Sequence, residues 1–359
     1  MLVVVTVLVA IAEAAIPFAK LDTRWSVTLA APPSAGTAFD ATTAYVPTRG
    51  GELVAIDLDR GAIRWRASLT TTLTPATGDG LVFTAAGDLI EARESTAGEI
   101  KWQTTLAGDV ATPLYWERGW LIASSLNGEL VALRSSDGTK VWSQPIGAAL
   151  AVPPVLAFDR LCLALTNGRL LAIELATGAT VWSRSIPGRI SGLLSLPDQL
   201  VFGTTENTVQ SAHVKNGRER WHRRVGGDVV GIPFADARRI YFVSRDNMVR
   251  AVDRKSGNLR WTATLESRPA GGPFMASEVV MVPLVSESIE GFDPASGKKV
   301  VTLEAAGETA AQPHVRDQAR TSGARLITVS RDGQLQGFGL RFEPPPSRLR
   351  TGLGAPALP

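Results

Sequence analysis

The chain has 359 residues, with 34 Gly, 22 Pro, nine Trp and one Cys, and its formal net charge is +3. The single cysteine, Cys162, excludes an intramolecular disulfide, a cysteine-based zinc site and a redox Cys-x-x-Cys pair. The small net charge gives no indication of a nucleic-acid partner, and the length allows either several domains or one long internal repeat.

Residues 1–14 have the layout of a secretory signal. Leu2 to Ile11 is an unbroken run of apolar and small residues, and Ala12-Glu13-Ala14 follows as an A-x-A-like cleavage site. The apolar run is too short for a bilayer-spanning helix, which needs about 20 residues. No Lys or Arg precedes Lys20, so the positively charged start of a typical signal is missing. We therefore expect an exported protein with an atypical signal and no transmembrane span.

A glycine followed four residues later by a tryptophan recurs with a period of about 40 residues. The six pairs are Gly61 and Trp65, Gly98 and Trp102, Gly138 and Trp142, Gly178 and Trp182, Gly217 and Trp221, and Gly257 and Trp261. One further step reaches Gly297, with Val301 in the tryptophan position, and one step back from Trp65 reaches Trp25. Seven of the nine tryptophans therefore share one phase.

Other positions keep the same period. Six residues before the repeat glycines lie small residues, namely Ala55, Ala92, Ala132, Ala172, Ser211, Ala251 and Gly291. Four residues earlier, all copies but the one with Glu287 carry a residue that tolerates a positive φ, as tight hairpin turns require. These are Gly51, Asp88, Gly128, Gly168, Asn207, Asn247 and Gly333. Alternating apolar residues on both sides of such turns predict short β-strands.

Each unit therefore contains four short strands, and four strands in about 40 residues are typical of a propeller blade. Third strands occur eight times, but the eighth has no Gly-x-x-x-Trp after it, because prolines 344–346 occupy that part of the sequence. Trp25 supplies the missing fourth strand from the other end of the chain. The sequence thus predicts an all-β, eight-bladed propeller over residues 21–342, closed by an N-terminal strand. The in-phase tryptophans are expected to pack between blades.

Trp116 and Trp120 fall outside the repeat. They flank the turn Glu117-Arg118-Gly119 between the first and second strands of the third blade. Blade faces are used for packing, so the connecting turns are free to contact partners, and tryptophan is enriched at interface hot spots. We therefore select Trp116 and Trp120 as candidate partner-binding residues. The alternative is that both pack inside the blade.

Charge and composition change along the second half of the chain. Between Lys215 and Arg268, thirteen Lys and Arg stand against six Asp and Glu. This stretch is either a solvated basic face or a docking surface for an acidic partner. The tail, residues 343–359, contains five prolines and has no apolar periodicity, which predicts a disordered or extended segment.

The composite repeat Gly-x-Leu-x-Ala-Leu-Asp-x-x-Thr-Gly-x-x-x-Trp is represented here by Gly168 to Trp182. It resembles the tryptophan-docking repeat of the pyrroloquinoline-quinone-like (PQQ-like) propeller superfamily, and the resemblance covers about residues 21–342. That superfamily includes quinone-dependent alcohol dehydrogenases, the outer-membrane protein assembly factor BamB family, and sensor domains attached to kinases. The resemblance thus implies the fold more strongly than any one function.

Catalytic signals are sparse. The quinone enzymes of the superfamily are typically longer than this chain. Many of them stack the quinone against a disulfide between adjacent cysteines, and this chain has no Cys-Cys pair. The repeat's Asp position, which this resemblance places beside a turn, holds Asp57, Glu94, Arg134, Glu174, His213, Asp253 and Asp293. Arg134 and His213 interrupt the carboxylates that a calcium site would need. His213 and His222 could face each other across one hairpin, but two ligands do not make a metal site. We expect no catalytic residue, cofactor or metal.

The compact, loop-poor, exported chain is most similar to the BamB family. The resemblance implies a non-catalytic, periplasmic scaffold whose protein partner belongs to the outer-membrane barrel assembly machinery. We expect a monomer with no nucleic-acid partner. BamB proteins are usually anchored through a cysteine directly after the signal, whereas no cysteine precedes Cys162. Either the chain is soluble in the periplasm or the resemblance stops at the fold. The alternatives are a ligand-binding or sensory propeller and, less favoured, a quinone-dependent dehydrogenase.

Overall fold

The computed structural model describes residues 18–276, 278–310, 312–316 and 325–343, and all the regular structure in them is β-strand. The predicted signal, residues 1–14, lies outside the described residues. The same is true of residues 344–359 of the predicted tail, while Glu343 ends the last strand. In the described part of the chain, we find no helix of the length and hydrophobicity that a membrane crossing requires.

The strands are numbered β1 to β32 in chain order and form eight four-stranded antiparallel sheets. Blade one consists of β2 (Ala38–Phe39), β3 (Thr43–Pro47), β4 (Glu52–Asp57) and β5 (Ile63–Ser68). Blade two consists of β6 (Ala76–Gly78), β7 (Leu81–Ala86), β8 (Leu89–Glu94) and β9 (Ile100–Thr105). Blade three consists of β10 (Tyr115–Glu117), β11 (Trp120–Ser124), β12 (Glu129–Arg134) and β13 (Lys140–Pro145). Blades four and five consist of β14 (Val155–Ala157), β15 (Arg160–Ala164), β16 (Arg169–Glu174) and β17 (Thr180–Ser185); and β18 (Ile190–Leu196), β19 (Gln199–Thr204), β20 (Thr208–His213) and β21 (Glu219–Arg224). Blades six and seven consist of β22 (Val229–Ala235), β23 (Arg239–Ser244), β24 (Met248–Asp253) and β25 (Leu259–Thr264); and β26 (Phe274–Ala276), β27 (Val279–Pro283), β28 (Ser288–Phe292) and β29 (Lys299–Glu304).

The eighth blade combines both ends of the described chain. It contains β30 (His314–Val315), β31 (Leu326–Val329), β32 (Gln334–Glu343) and, as its outer strand, β1 (Phe18–Thr28). β1 pairs antiparallel with β32, and Trp25 lies opposite Gly337. The predicted eight-bladed propeller and its closure by an N-terminal strand are confirmed.

The turns between second and third strands have the backbone conformation that their sequence predicts. Gly128 and Asn207 have φ values of +75° and +56°. Glu287, the exception in the sequence pattern, adopts φ +63° all the same. In the second blade the positive φ falls on Gly87, one residue before the expected Asp88. The seventh blade therefore keeps the hairpin geometry, although Glu287 must adopt a left-handed conformation that is unfavourable for a residue with a Cβ.

The hydrophobic core lies between the blades and not within them. One cluster, for example, packs Phe83 of β7 and Trp102 of β9 with Leu121 of β11, and so joins the second blade to the third. Another packs Trp25 and Ile327 of the eighth blade against Ile56 of the first. A blade therefore has no separate core, and its stability depends on both neighbours.

The in-phase tryptophans make these joints, as predicted. Within its own blade each stands opposite the small residue of the repeat, as Trp142 stands opposite Ala132, and a β-bulge directly precedes it. Each indole covers the repeat glycine of the next blade, whose Cβ would lie under 3.0 Å from the ring; the pairs are Trp25 and Gly61, Trp65 and Gly98, Trp102 and Gly138, Trp142 and Gly178, Trp182 and Gly217, Trp221 and Gly257, and Trp261 and Gly297. Each indole N–H donates to a carbonyl in that same turn, at 2.9 Å from Trp142 to Leu175.

The ring has two faces and a central channel. We call upper the face that carries the turns between first and second strands and between third and fourth strands, which lie on the same side of an antiparallel blade. The lower face carries the turns between second and third strands and the connections between blades. Residues of the first strands of blades one, six, seven and eight line one cavity, so the first strands surround the channel.

Candidate functional site

The two out-of-phase tryptophans lie where the sequence predicts, on either side of the upper-face turn that joins β10 to β11. Glu117 pairs with Trp120 across that turn, and Arg118 and Gly119 have φ values of +49° and +81°. Both tryptophans are half-buried, Trp116 against the core between blades two and three and Trp120 against the core between blades three and four. Each side chain is therefore partly exposed to solvent.

Trp116 also makes a contact with the second blade. Its ring covers Gly78 so closely that a Cβ there would lie 2.0 Å from it. Its indole Nε1 donates to Asp79 Oδ2 at 3.2 Å, and the same oxygen accepts from Ser135 Oγ at 2.8 Å. Trp116 thus packs against the second blade, and the Asp79 carboxylate that it bonds is also held by Ser135 of the third blade.

Phe158 is an exposed aromatic residue that the sequence reasoning missed. It lies in the next upper-face turn, between β14 and β15, and is 66% exposed. Its φ is +60°, a conformation that is rare and strained for a bulky residue. The Arg118 guanidinium donates to the Phe158 carbonyl at 3.4 Å, which ties this turn to the one between Trp116 and Trp120. The available signal was an aromatic residue in a turn position where the two preceding blades carry Asp79 and Arg118.

A second upper-face feature is a basic pocket of about 900 Å³ between blades five, six and seven. Five cationic residues line it: Arg238, Arg239, Arg254, Lys255 and Arg260. All five belong to the basic stretch between Lys215 and Arg268. Two acidic residues, Asp198 and Asp253, also line the pocket, so its lining carries three more positive than negative charges.

Ion pairs occupy some of these cations. Arg254 Nη2 lies 3.4 Å from Asp198 Oδ1, and Asp198 also bonds to Arg220. Arg260 Nη2 lies 2.6 Å from Asp253 Oδ2. The Arg220 hydrogen bond lowers the pKa of Asp198, against an opposing effect of burial. The Arg260 hydrogen bond in the same way lowers the pKa of Asp253. Both carboxylates are therefore charged at neutral pH.

A cavity of about 570 Å³ opens on the central channel. Phe39 and His314 stack there with ring centroids 4.2 Å apart, and Phe234 and Phe274 complete an aromatic lining. Burial lowers the pKa of His314, and the nearby Arg316 charge adds to this effect. His314 is therefore neutral at pH 7 and acts as an aromatic wall of the channel.

The polar residues considered for metal binding have other roles. The Asp position of the repeat bonds its own turn, since Asp57 Oδ1 accepts the N–H groups of Asp59 and Arg60, each at 2.9 Å. His222 stands opposite Gln210 and pairs with Glu219, so the idea that it faces His213 is wrong: in this register Ala212 already stands opposite Glu219, and His213 lies at the end of β20 beside the turn. Among the described residues no group of three or more His, Cys, Asp or Glu side chains could hold a metal ion.

Comparison with solved structures supports the eight-bladed ring. BamB from Moraxella catarrhalis superposes with a TM-score of 0.72 at 18% identity, over 89% of this chain and 99% of that one. The C-terminal WD40 domain of Sif2 gives a TM-score of 0.73 at 10% identity, over 90% and 99%. Quinohemoprotein alcohol dehydrogenase from Comamonas testosteroni gives 0.71 at 11% identity, over 89% and 76%. At these identities the likeness establishes the fold alone.

Sequence comparison is more specific. A search of the curated proteins found no match. The family model for outer membrane protein assembly factor BamB matches residues 19–223 and 191–335, which together span almost the whole described ring. The match includes the tryptophan joints and the closing strand. By sequence and by architecture, the chain belongs to the outer membrane protein assembly factor BamB family.

Proposed function

We propose that this protein is a non-catalytic, periplasmic binding scaffold that acts in outer-membrane β-barrel assembly. The observation that carries the proposal is the match of the BamB family model along almost the whole ring. The architecture agrees with a binding scaffold. The two faces of a blade pack against the neighbouring blades, so the turns and the outer strands are the parts that partners can reach.

The partner surface that we propose is the upper face of blades three and four. Trp116 and Trp120 flank one turn and Phe158 lies in the next, and Arg118 connects the two turns. Tryptophan and arginine are among the side chains most enriched at interface hot spots. Because the strained Phe158 turn keeps an apolar ring in water, its exposure is costly to the free protein and would be relieved in a complex.

The experiment is a pull-down from solubilised envelopes with the affinity-tagged full chain. We expect barrel-assembly components among the captured proteins. We also expect Phe158→Ala and the double variant Trp116→Ala, Trp120→Ala to reduce capture about tenfold, as removal of a hot spot does. Leu126→Ala is the matched control, since Leu126 is 65% exposed but lies on the lower face of the third blade. No barrel-assembly component in the parent pull-down would contradict the proposal.

Ligand binding is a second candidate function, and the aromatic cavity of the channel favours it. Flat aromatic walls such as Phe39 and His314 suit a planar ligand.

Calorimetric titration with pyrroloquinoline quinone and Ca²⁺ tests the alternative that the protein is a quinone-dependent dehydrogenase. We expect no binding, because the repeat carboxylates such as Asp57 already bond their own turns. Tight binding of the quinone would overturn the non-catalytic assignment.

A further inference from the structure

The basic pocket has cations that its own acidic residues do not neutralise. Arg239, Arg254 and Arg260 face Asp236, Asp198 and Asp253, respectively. Arg238 and Lys255 are exposed, and neither side chain makes an ion pair or hydrogen bond with any residue that the structure describes. The pocket thus presents two free cationic groups beside three that are already fixed in place.

The backbone around the free cations is held rigidly. The Arg254 N–H donates to the Arg238 carbonyl at 2.9 Å, which joins the two turns that carry Arg238 and Lys255. The Arg254 carbonyl accepts from Gln199 Nε2 at 3.1 Å and from the Trp221 indole at 3.4 Å. The joint between blades five and six therefore fixes the position of the backbone that carries Arg238 and Lys255.

The lining also restricts what the ligand can be. None of the described residues that line the pocket is aromatic, so bases of a nucleic acid would find no ring there to stack on. Asp198 and Asp253 lie among the cations and would repel a continuous phosphate backbone. A peptide can alternate carboxylates with N–H donors, and so can pair with both the free cations and the acidic side chains.

We propose that this pocket binds a carboxylate-rich segment of a partner protein, with Arg238 and Lys255 as its main contacts. The site is on blades five to seven, whereas the aromatic surface of the proposed function is on blades three and four. The two surfaces can therefore be tested separately, and loss of one leaves the other intact.

The test is fluorescence anisotropy of a labelled oligoglutamate peptide titrated with the full chain. We expect saturable binding that is lost at high salt, since about 1 M salt reduces the Debye length to about 3 Å. Arg238→Ala with Lys255→Ala should weaken binding roughly tenfold, and reversal of both charges to Glu should abolish it. Neither substitution removes a described side-chain contact, so both variants are expected to fold.

The matched control is Arg49→Ala with Lys101→Ala, which removes the same charge from exposed positions on other surfaces of the ring. We expect it to bind oligoglutamate like the parent. Equal weakening by control and pocket variants, or unchanged binding by the charge-reversed variant, would overturn the site. Tighter pocket-dependent binding of single-stranded DNA than of oligoglutamate would overturn the assignment to a protein segment.

Discussion

Seven of the joints between blades carry a tryptophan, and the joint between the seventh and eighth blades carries Val301. At each of the seven, the indole ring covers a glycine and its N–H donates to a carbonyl of the next blade's turn between third and fourth strands. Val301 is half-buried against the cluster that contains Phe274 and Phe338 and has no polar group to donate. The difference coincides with the point where the ring closes.

The eighth blade explains why. Its third strand, β32, and its fourth strand, β1, come from opposite ends of the chain, so no turn connects them. A tryptophan at position 301 would have no repeat glycine to cover and no turn carbonyl to bond. Tryptophan is therefore present at each joint where the next blade has a turn between its third and fourth strands. The valine at position 301 follows from the absence of such a turn in the eighth blade.

Removal of the closing strand should have the largest effect. Deletion of residues 21–30 removes Trp25, whose joint with Gly61 alone is expected to contribute about 3–5 kcal/mol, and leaves β32 without its outer partner. We expect loss of the closed ring, measured as loss of a cooperative thermal transition by circular dichroism. A deletion variant that melts at the parent temperature would contradict closure by β1.

A methyl group under one indole should have the next largest effect. Gly178 has φ +74°, and a Cβ there would lie 2.8 Å from Trp142 Cε3. Gly178→Ala combines left-handed strain with overpacking, and we expect a loss of about 2–4 kcal/mol in the free energy of unfolding. Gly80→Ala is the control, because φ there is +72° and no atom lies within 4 Å of the added Cβ. Urea unfolding of both variants separates the effect of the steric contact from that of backbone strain. Equal losses in the free energy of unfolding would argue against tight packing of the Trp142 indole on Gly178.

The seventh blade should be improved by relief of its strained turn. Glu287 has φ +63°, and glycine adopts this conformation without steric cost. We expect Glu287→Gly to raise the free energy of unfolding by about 0.5–1 kcal/mol. Asn207→Gly, at φ +56°, should gain less because asparagine tolerates this region. A larger gain from Asn207→Gly would show that strain is not what distinguishes the seventh blade.

Acid should weaken the eighth blade slightly through His314. Burial lowers the pKa of His314 in the folded protein below the ordinary value of 6.5, so the unfolded chain takes up the proton more readily. The stability that this group contributes is present above pH 6.5 and is lost as the pH falls below it. His314→Phe keeps the stack on Phe39 and should flatten this part of the pH dependence of the unfolding midpoint. An unchanged slope would contradict the role of His314.

The repeat made the architecture predictable, because each periodic residue has one local role. Ala132 is small because Trp142 stands opposite it, and Gly178 lacks a Cβ because the same indole covers it. The candidate sites were less predictable. The pocket brings Asp198 to Arg254 across more than fifty residues of chain, and Phe158 is recognisable only when its exposure and φ are known. Side-chain orientation on turns depends on neighbouring blades, which no local pattern specifies.

The most direct test of the role of the tryptophan joints compares Trp142→Ala with Val301→Ala in urea unfolding. Trp142 is 9% exposed and donates to the next blade, so its truncation should cost about 3–5 kcal/mol. Val301→Ala removes two partly buried carbon atoms and no hydrogen bond, and should cost about 1 kcal/mol. This difference is the predicted result. Equal losses at the two positions would contradict the claim that tryptophan joints hold the ring together.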